Sequence, residues 1–154
     1  MARPDPPIWT GLPLHVIKYI AEEVKRQGRG PIQVYWMADA WVDAMVWRRG
    51  VDVPDLEIIE ALGRRIERDK NRDGVRQVPV YIGYEEKLRW PLVPHALESL
   101  IEAWPDMSPD QRYLEFETIH PFVDGNGRTG KILYNWDSLE SPTMPPNFWG
   151  VSNP

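Results

Sequence analysis

The sequence predicts a mainly α protein, a helical bundle that carries one short β-hairpin. Three observations predict it. Apolar residues recur at helical spacing in several stretches separated by Gly and Pro. Ser108-Pro109-Asp110-Gln111 is a capping box with Pro at the first helical position, a strong helix start. The period changes only once, in VPVYIGYEEKLR, where β-branched and aromatic residues surround Gly83.

The elements follow in order. Residues 1–11 are Pro-rich and polar and read as an extended arm. Pro13 then opens a helix in which Val16, Ile17, Ile20 and Val24 form one face, with Lys18, Glu22, Glu23 and Lys25 opposite. It ends near Gly28-Arg29-Gly30. A second helix over about Ile32 to Arg49 spreads Val34, Met37, Ala38, Trp41 and Met45 on one face. Trp36, Val42 and Trp47 lie on the others, so this helix should be central. A third begins near Asp52-Val53-Pro54, carries Ile59, Leu62 and Ile66, and frays into ERDKNRDG, a charged run expected to be a solvated helix end.

The hairpin between Val75 and Arg89 is either a packed ribbon or a functional flap. Helices over Ala96–Trp104 and from the capping box to about His120 come next. The irregular loop PFVDGNG leads to a helix starting at about Arg128 that carries Ile132, Leu133 and Trp136. Residues 12–137 form one domain on this reading, and the turn-rich tail 138–154 packs on it.

Composition narrows the function classes. A chain of 154 residues is long enough for one core, and 42% hydrophobic with 27% charged residues is a globular balance. A net charge of -5 argues against nucleic acid as the main partner. The absence of Cys excludes disulfides, thiolate metal sites and thiol catalysis. No segment has the apolar length of a signal peptide or a membrane helix, so no membrane partner and a cytoplasmic location are expected. The eight tryptophans and sixteen prolines are high for this length and fit core filling and helix starts.

Chemistry concentrates between His120 and Lys131. Gly125, Asn126 and Gly127 let backbone N–H groups converge at a helix start, which binds anionic oxygens such as phosphates. Arg128 and Lys131 lie three apart and can both reach an anion there. Asp124 is a hard oxygen ligand beside it, as Mg²⁺ requires when it bridges phosphates. His120 is a proton acceptor at neutral pH. A base, a metal ligand, an anion hole and a phosphate clamp together suit attack on a phosphorus centre.

The stretch His120-Pro121-Phe122-Val123-Asp124-Gly125-Asn126-Gly127-Arg128-Thr129-Gly130-Lys131 resembles the signature of the Fic family, H-x-F-x-[DE]-G-N-G-R-x-x-R. Every specified position matches except the last, where Lys replaces Arg. Gly74-Val75-Arg76, the hairpin and the following helix match the order of the Fic core upstream of its motif. The resemblance implies a Fic-type helical fold and a protein adenylyltransferase. That activity moves AMP from ATP onto a Ser, Thr or Tyr hydroxyl of a target protein and releases pyrophosphate. His120 would be the general base and Phe122 the anchor of the loop. Asp124 would hold Mg²⁺, and Gly125, Asn126 and Gly127 would form the anion hole, with the Asn126 side chain donating to it. Arg128 and Lys131 would grip the distal phosphates. Val80, Tyr81, Ile82 and Gly83 would be the flap that aligns the target by strand addition.

The same resemblance leaves other outcomes open. They are transfer of phosphate, another nucleotide or phosphocholine, removal of the modification, and a catalytically decayed binding module. Many family members are restrained by [ST]-x-x-x-E-[GN], whose Glu pairs with the last Arg of the signature. No Glu here precedes Gly or Asn. The expectation is therefore that no glutamate of the chain sits on Arg128 or Lys131, and that a separate inhibitory protein restrains the site or nothing does.

Overall fold

The computed structural model describes residues 11–146. The arm expected over 1–11 and the end of the tail, 147–154, lie almost wholly outside them. The order is α1 (Leu14–Arg26), α2 (Pro31–Arg48), α3 (Leu56–Ile66), β1 (Tyr81–Ile82), β2 (Glu85–Glu86), α4 (Val93–Ala103), α5 (Pro109–Ile119) and α6 (Asn126–Tyr134). The fold is mainly helical with a single hairpin among the described residues, as the sequence predicts.

Local chemistry sets the ends. Asp55 caps α3 by accepting the Ile58 N–H at 2.8 Å, so that helix starts later than Asp52. The Ser108 hydroxyl accepts the Gln111 N–H at 3.2 Å, and the Gln111 side chain accepts the Ser108 N–H at 2.8 Å. Gly83, at φ 64°, turns the hairpin, and its ladder is only two residues per strand, with Tyr81 opposite Glu86 and Ile82 opposite Glu85. The strands are shorter than the β-like sequence, and Arg76 takes the Val78 and Leu88 carbonyls on either side of the ribbon.

The core forms where α2 packs on α3 and α5 on α6. Trp41, Trp104 and Trp136 are buried within it, while Trp90 is exposed. The indole N–H of Trp41 donates to the Leu139 carbonyl at 3.0 Å, and that of Trp136 to the Asp52 carbonyl at 2.8 Å. These bonds tie the C-terminal stretch to the body. Every residue of α6 from Asn126 to Leu133 is buried, since α2, α3 and α5 all touch it. The N-terminus of α6 therefore lies inside the protein. No described helix is long and apolar enough to cross a membrane.

Glu23 departs from the polar face assigned to it. It falls seven residues after Val16, on the buried stripe with Ile20 and Val24, and is fully buried. A buried carboxylate requires a partner, and it finds one in the signature.

Candidate active site

His120 caps α5 in the left-handed region, at φ 52° and ψ 62°, and is the single non-glycine residue at positive φ among the described residues. Such a conformation costs roughly 1–2 kcal/mol for a side chain with a Cβ and persists where the surroundings enforce it. Arg76 enforces it. Its Nε donates to the His120 carbonyl at 2.8 Å and its Nη2 to the Ile119 carbonyl at 3.4 Å. The same guanidinium donates to the Val78 carbonyl at 3.1 Å and to the Leu88 carbonyl. The Arg76 N–H adds a bond to the Pro121 carbonyl at 2.8 Å. One buried cation thus joins the base of the hairpin to the backbone of the histidine.

The imidazole is buried, and its Nδ1 has no hydrogen-bond partner of normal geometry. Burial lowers its pKa from 6.5 to about 4, and the charge of Lys87 adds to the effect, while the neighbouring Glu117 carbonyl pulls the other way. The ring is therefore neutral at pH 7.

Two residues past His120, Phe122 is fully buried, its ring 6.5 Å from that of Phe116. The space it fills lies over Gly63 of α3, where any Cβ would run into the ring. The Asn126 side chain closes the loop. Its Oδ1 accepts the Phe122 N–H at 2.8 Å and its Nδ2 donates to the Phe122 carbonyl at 2.9 Å. This amide, expected from the sequence to donate into the anion hole, thus holds the loop's shape through both sides of Phe122.

The helix itself supplies the donors. Gly125 sits at φ 76°, with no room for a Cβ beside Ile66 at 2.6 Å. The first intrahelical bond runs from the Thr129 N–H to the Gly125 carbonyl. The N–H groups of Asn126, Gly127 and Arg128 precede it and have no acceptor within the helix. Together with the positive end of the dipole they form a cradle for an anion.

Asp124 lies at its edge. Its Oδ1 accepts the Gly125 N–H at 2.8 Å, and its Oδ2 receives both Arg29 and Lys70 at 2.8 Å. Burial alone pushes this carboxyl up; the hydrogen bonds of Lys70 and Gly125 with the charge of Arg29 outweigh it and hold it below the ordinary value. Asn71 fixes the Asp124 backbone, donating to its carbonyl at 2.8 Å and accepting its N–H at 3.3 Å. The run ERDKNRDG is thus more than a solvated end: Glu67, Lys70 and Asn71 all reach the signature loop.

Both signature cations carry an acid of the chain. Arg128 donates to Glu67 at 2.8 Å, leaving its Nε and Nη1 buried without an acceptor. Lys131 is buried, with Nζ 3.0 Å from Glu23 and 3.1 Å from the Tyr113 hydroxyl. The expectation that no glutamate would sit on these cations is overturned. So is the free, anion-facing placement expected for Lys131, because Glu23 rides the buried stripe of α1. Beside this pair, Glu117 has both oxygens buried and unpartnered. Burial raises its carboxyl to about 7 against the pull of Lys131 and Lys87. Sequence reasoning passed over Arg29, Glu67, Lys70, Asn71 and Glu117.

The hairpin residues Val80, Tyr81, Ile82 and Gly83 form the first half of the ribbon. Val80 accepts the Lys87 N–H at 2.9 Å, and Tyr81 is exposed.

The bundle ends one helix in a strained histidine and opens the next on a buried N–H cradle. The Fic/DOC family profile matches residues 57–136, more than half of the chain, and the chain belongs to that family. Its members are generally transferases that act on target proteins. A Fic family protein from Desulfovibrio desulfuricans G20 has a similar solved structure, with TM-score 0.54 and 18% identity. That match covers 82% of this chain and 42% of the other, so it spans less than half of that protein. No curated protein matches the sequence.

Proposed function

We propose that the chain transfers AMP from ATP to a Ser, Thr or Tyr hydroxyl of a target protein. The observation that carries this reading is the short loop that joins a neutral, strained His120 to the N–H cradle of Asn126, Gly127 and Arg128. The target hydroxyl oxygen attacks the α-phosphorus, its proton passes to His120, and the bond to the bridging oxygen breaks so that pyrophosphate leaves with the electron pair. The cradle holds the phosphoryl oxygens on which charge develops. Arg128, with two unpartnered donors, neutralises the leaving phosphates.

Asp124 suits Mg²⁺ as one hard carboxylate shared with substrate phosphates. The described residues contain no cluster of three or more His, Cys, Asp or Glu that could cage an ion by protein alone. Bound there, the ion would supply charge neutralisation. Tyr81 and Ile82 offer a ribbon edge to which an extended target segment can add. Restraint of the site comes from the chain's own Glu23 and Glu67, which already occupy Lys131 and Arg128, rather than from a separate inhibitor.

Incubation of a cell lysate with the protein and ATP labelled on the α- or the γ-phosphate tests the reading. Movement of α-label that His120→Ala reduces by about 10² to 10⁴ is expected. Movement of γ-label instead would mean phosphate transfer, and no movement of either would mean a binding module.

A further inference from the structure

The last cation of the signature, Lys131, is held inside by Glu23 and Tyr113, yet two other cations stand at the edge of the cradle. Arg29 comes from the turn between α1 and α2, and Lys70 from the turn after α3. Both meet one oxygen, Asp124 Oδ2, at 2.8 Å. Their positions are built. Gly28 at φ 71° reverses the chain so that the Arg29 N–H returns to the Val24 carbonyl at 3.0 Å. Lys70 precedes Asn71, which is bonded to Gly63 and to both sides of the Asp124 peptide.

Charge and exposure separate this pair from the signature cations. Arg128 and Lys131 each face a glutamate inside the protein. Arg29 and Lys70 share a single carboxylate, which leaves a positive charge over. Their side chains are 32% and 50% exposed, against 1% and 3% for Arg128 and Lys131, so their ends can follow a ligand. Independently, Arg29 Nε is a buried donor with no acceptor, and such a group calls for a partner.

We propose that Arg29 and Lys70 are the outer polyphosphate grip of this site, in the role the signature otherwise gives to its last cation. The proposal rests on the nucleotide reading above and names the residues that hold the β- and γ-phosphates. The α-phosphate lies on the helix cradle.

Isothermal titration of the full chain tests it, with divalent cations chelated and ionic strength fixed at a physiological value. The ligands are ATP, AMP and inorganic tripolyphosphate; the proteins are wild type, Arg29→Gln and Lys70→Gln. Each substitution should weaken ATP and tripolyphosphate about tenfold, the effect of one lost charge-assisted hydrogen bond, and leave AMP nearly unchanged. Equal affinities for ATP in all three proteins would overturn the grip and leave the nucleotide reading standing. An equal loss for AMP would also overturn it, because the contact would then lie at the α-phosphate. Tripolyphosphate binding that both substitutions weaken, with no ATP binding by wild type, supports the grip and removes the nucleotide reading.

Discussion

Replacing Glu117 with glutamine should make the folded chain's stability rise more steeply with pH than the native chain's. Two buried groups near the site titrate in opposite senses. His120 is lowered from 6.5 to about 4, so between those values the unfolded chain binds more protons than the folded one. Its contribution is present above pH 6.5 and is lost as pH falls toward 4, a difference of about 3 kcal/mol. Glu117 is raised from 4.5 to about 7, so there the folded chain binds more protons. Its contribution is present below pH 4.5 and is lost as pH rises toward 7, again about 3 kcal/mol. Between pH 4.5 and 6.5 the two slopes oppose each other. Glu117→Gln removes one of them, so its stability should climb by roughly 2–3 kcal/mol from pH 4.5 to 6.5. His120→Asn removes the other, and Asn tolerates the left-handed backbone; its stability should fall over the same range. Urea unfolding at several pH values measures all three proteins. A Glu117→Gln profile parallel to wild type would refute the reasoning.

Other outcomes follow from the same geometry. Activity should need Mg²⁺ or Mn²⁺, and Asp124→Ala should remove both the activity and the metal response, read as turnover against free metal. Glu23→Ala strands the buried Lys131 and should destabilise the fold by about 3–5 kcal/mol, measured by denaturant unfolding. Arg76→Lys keeps the charge but loses the fork that joins four carbonyls. It should lower kcat more than it raises KM for the target, since it shifts the histidine backbone and hairpin; unchanged kinetics in a folded variant would contradict this.

Local pattern made much of the fold legible. Helical spacing, the capping box and the single change of period give the order of elements, because each signal lies within a few residues. Boundaries drifted where chemistry outside the period decided them. Asp55 moved the start of α3, and the glycine loop became the first turn of α6. The signature residues are contiguous, so sequence finds them at once. Their partners are not: Glu23 meets Lys131, Glu67 meets Arg128 and Arg29 meets Asp124 across long stretches of chain. One signal was present. An acidic residue seven positions after Val16 sits on the apolar stripe of α1, and an acid there implies a cation opposite. Nothing comparable marks Lys70 or Asn71, whose roles arise only when the turn after α3 folds onto the loop.

Gly63 carries a consequence for anyone who would redesign this protein. It lies inside α3, where glycine is about 1 kcal/mol worse than alanine. By helix propensity alone, Gly63→Ala ranks among the first changes chosen to raise thermal resistance. The added methyl would land on the Phe122 ring, and Phe122 is the residue whose backbone Asn126 grasps. A sturdier helix would thus be obtained at the expense of the loop that follows His120. The weak point in α3 is a seat kept empty for the turn after His120, and heat tolerance and the shape of that turn are opposed at this one backbone position.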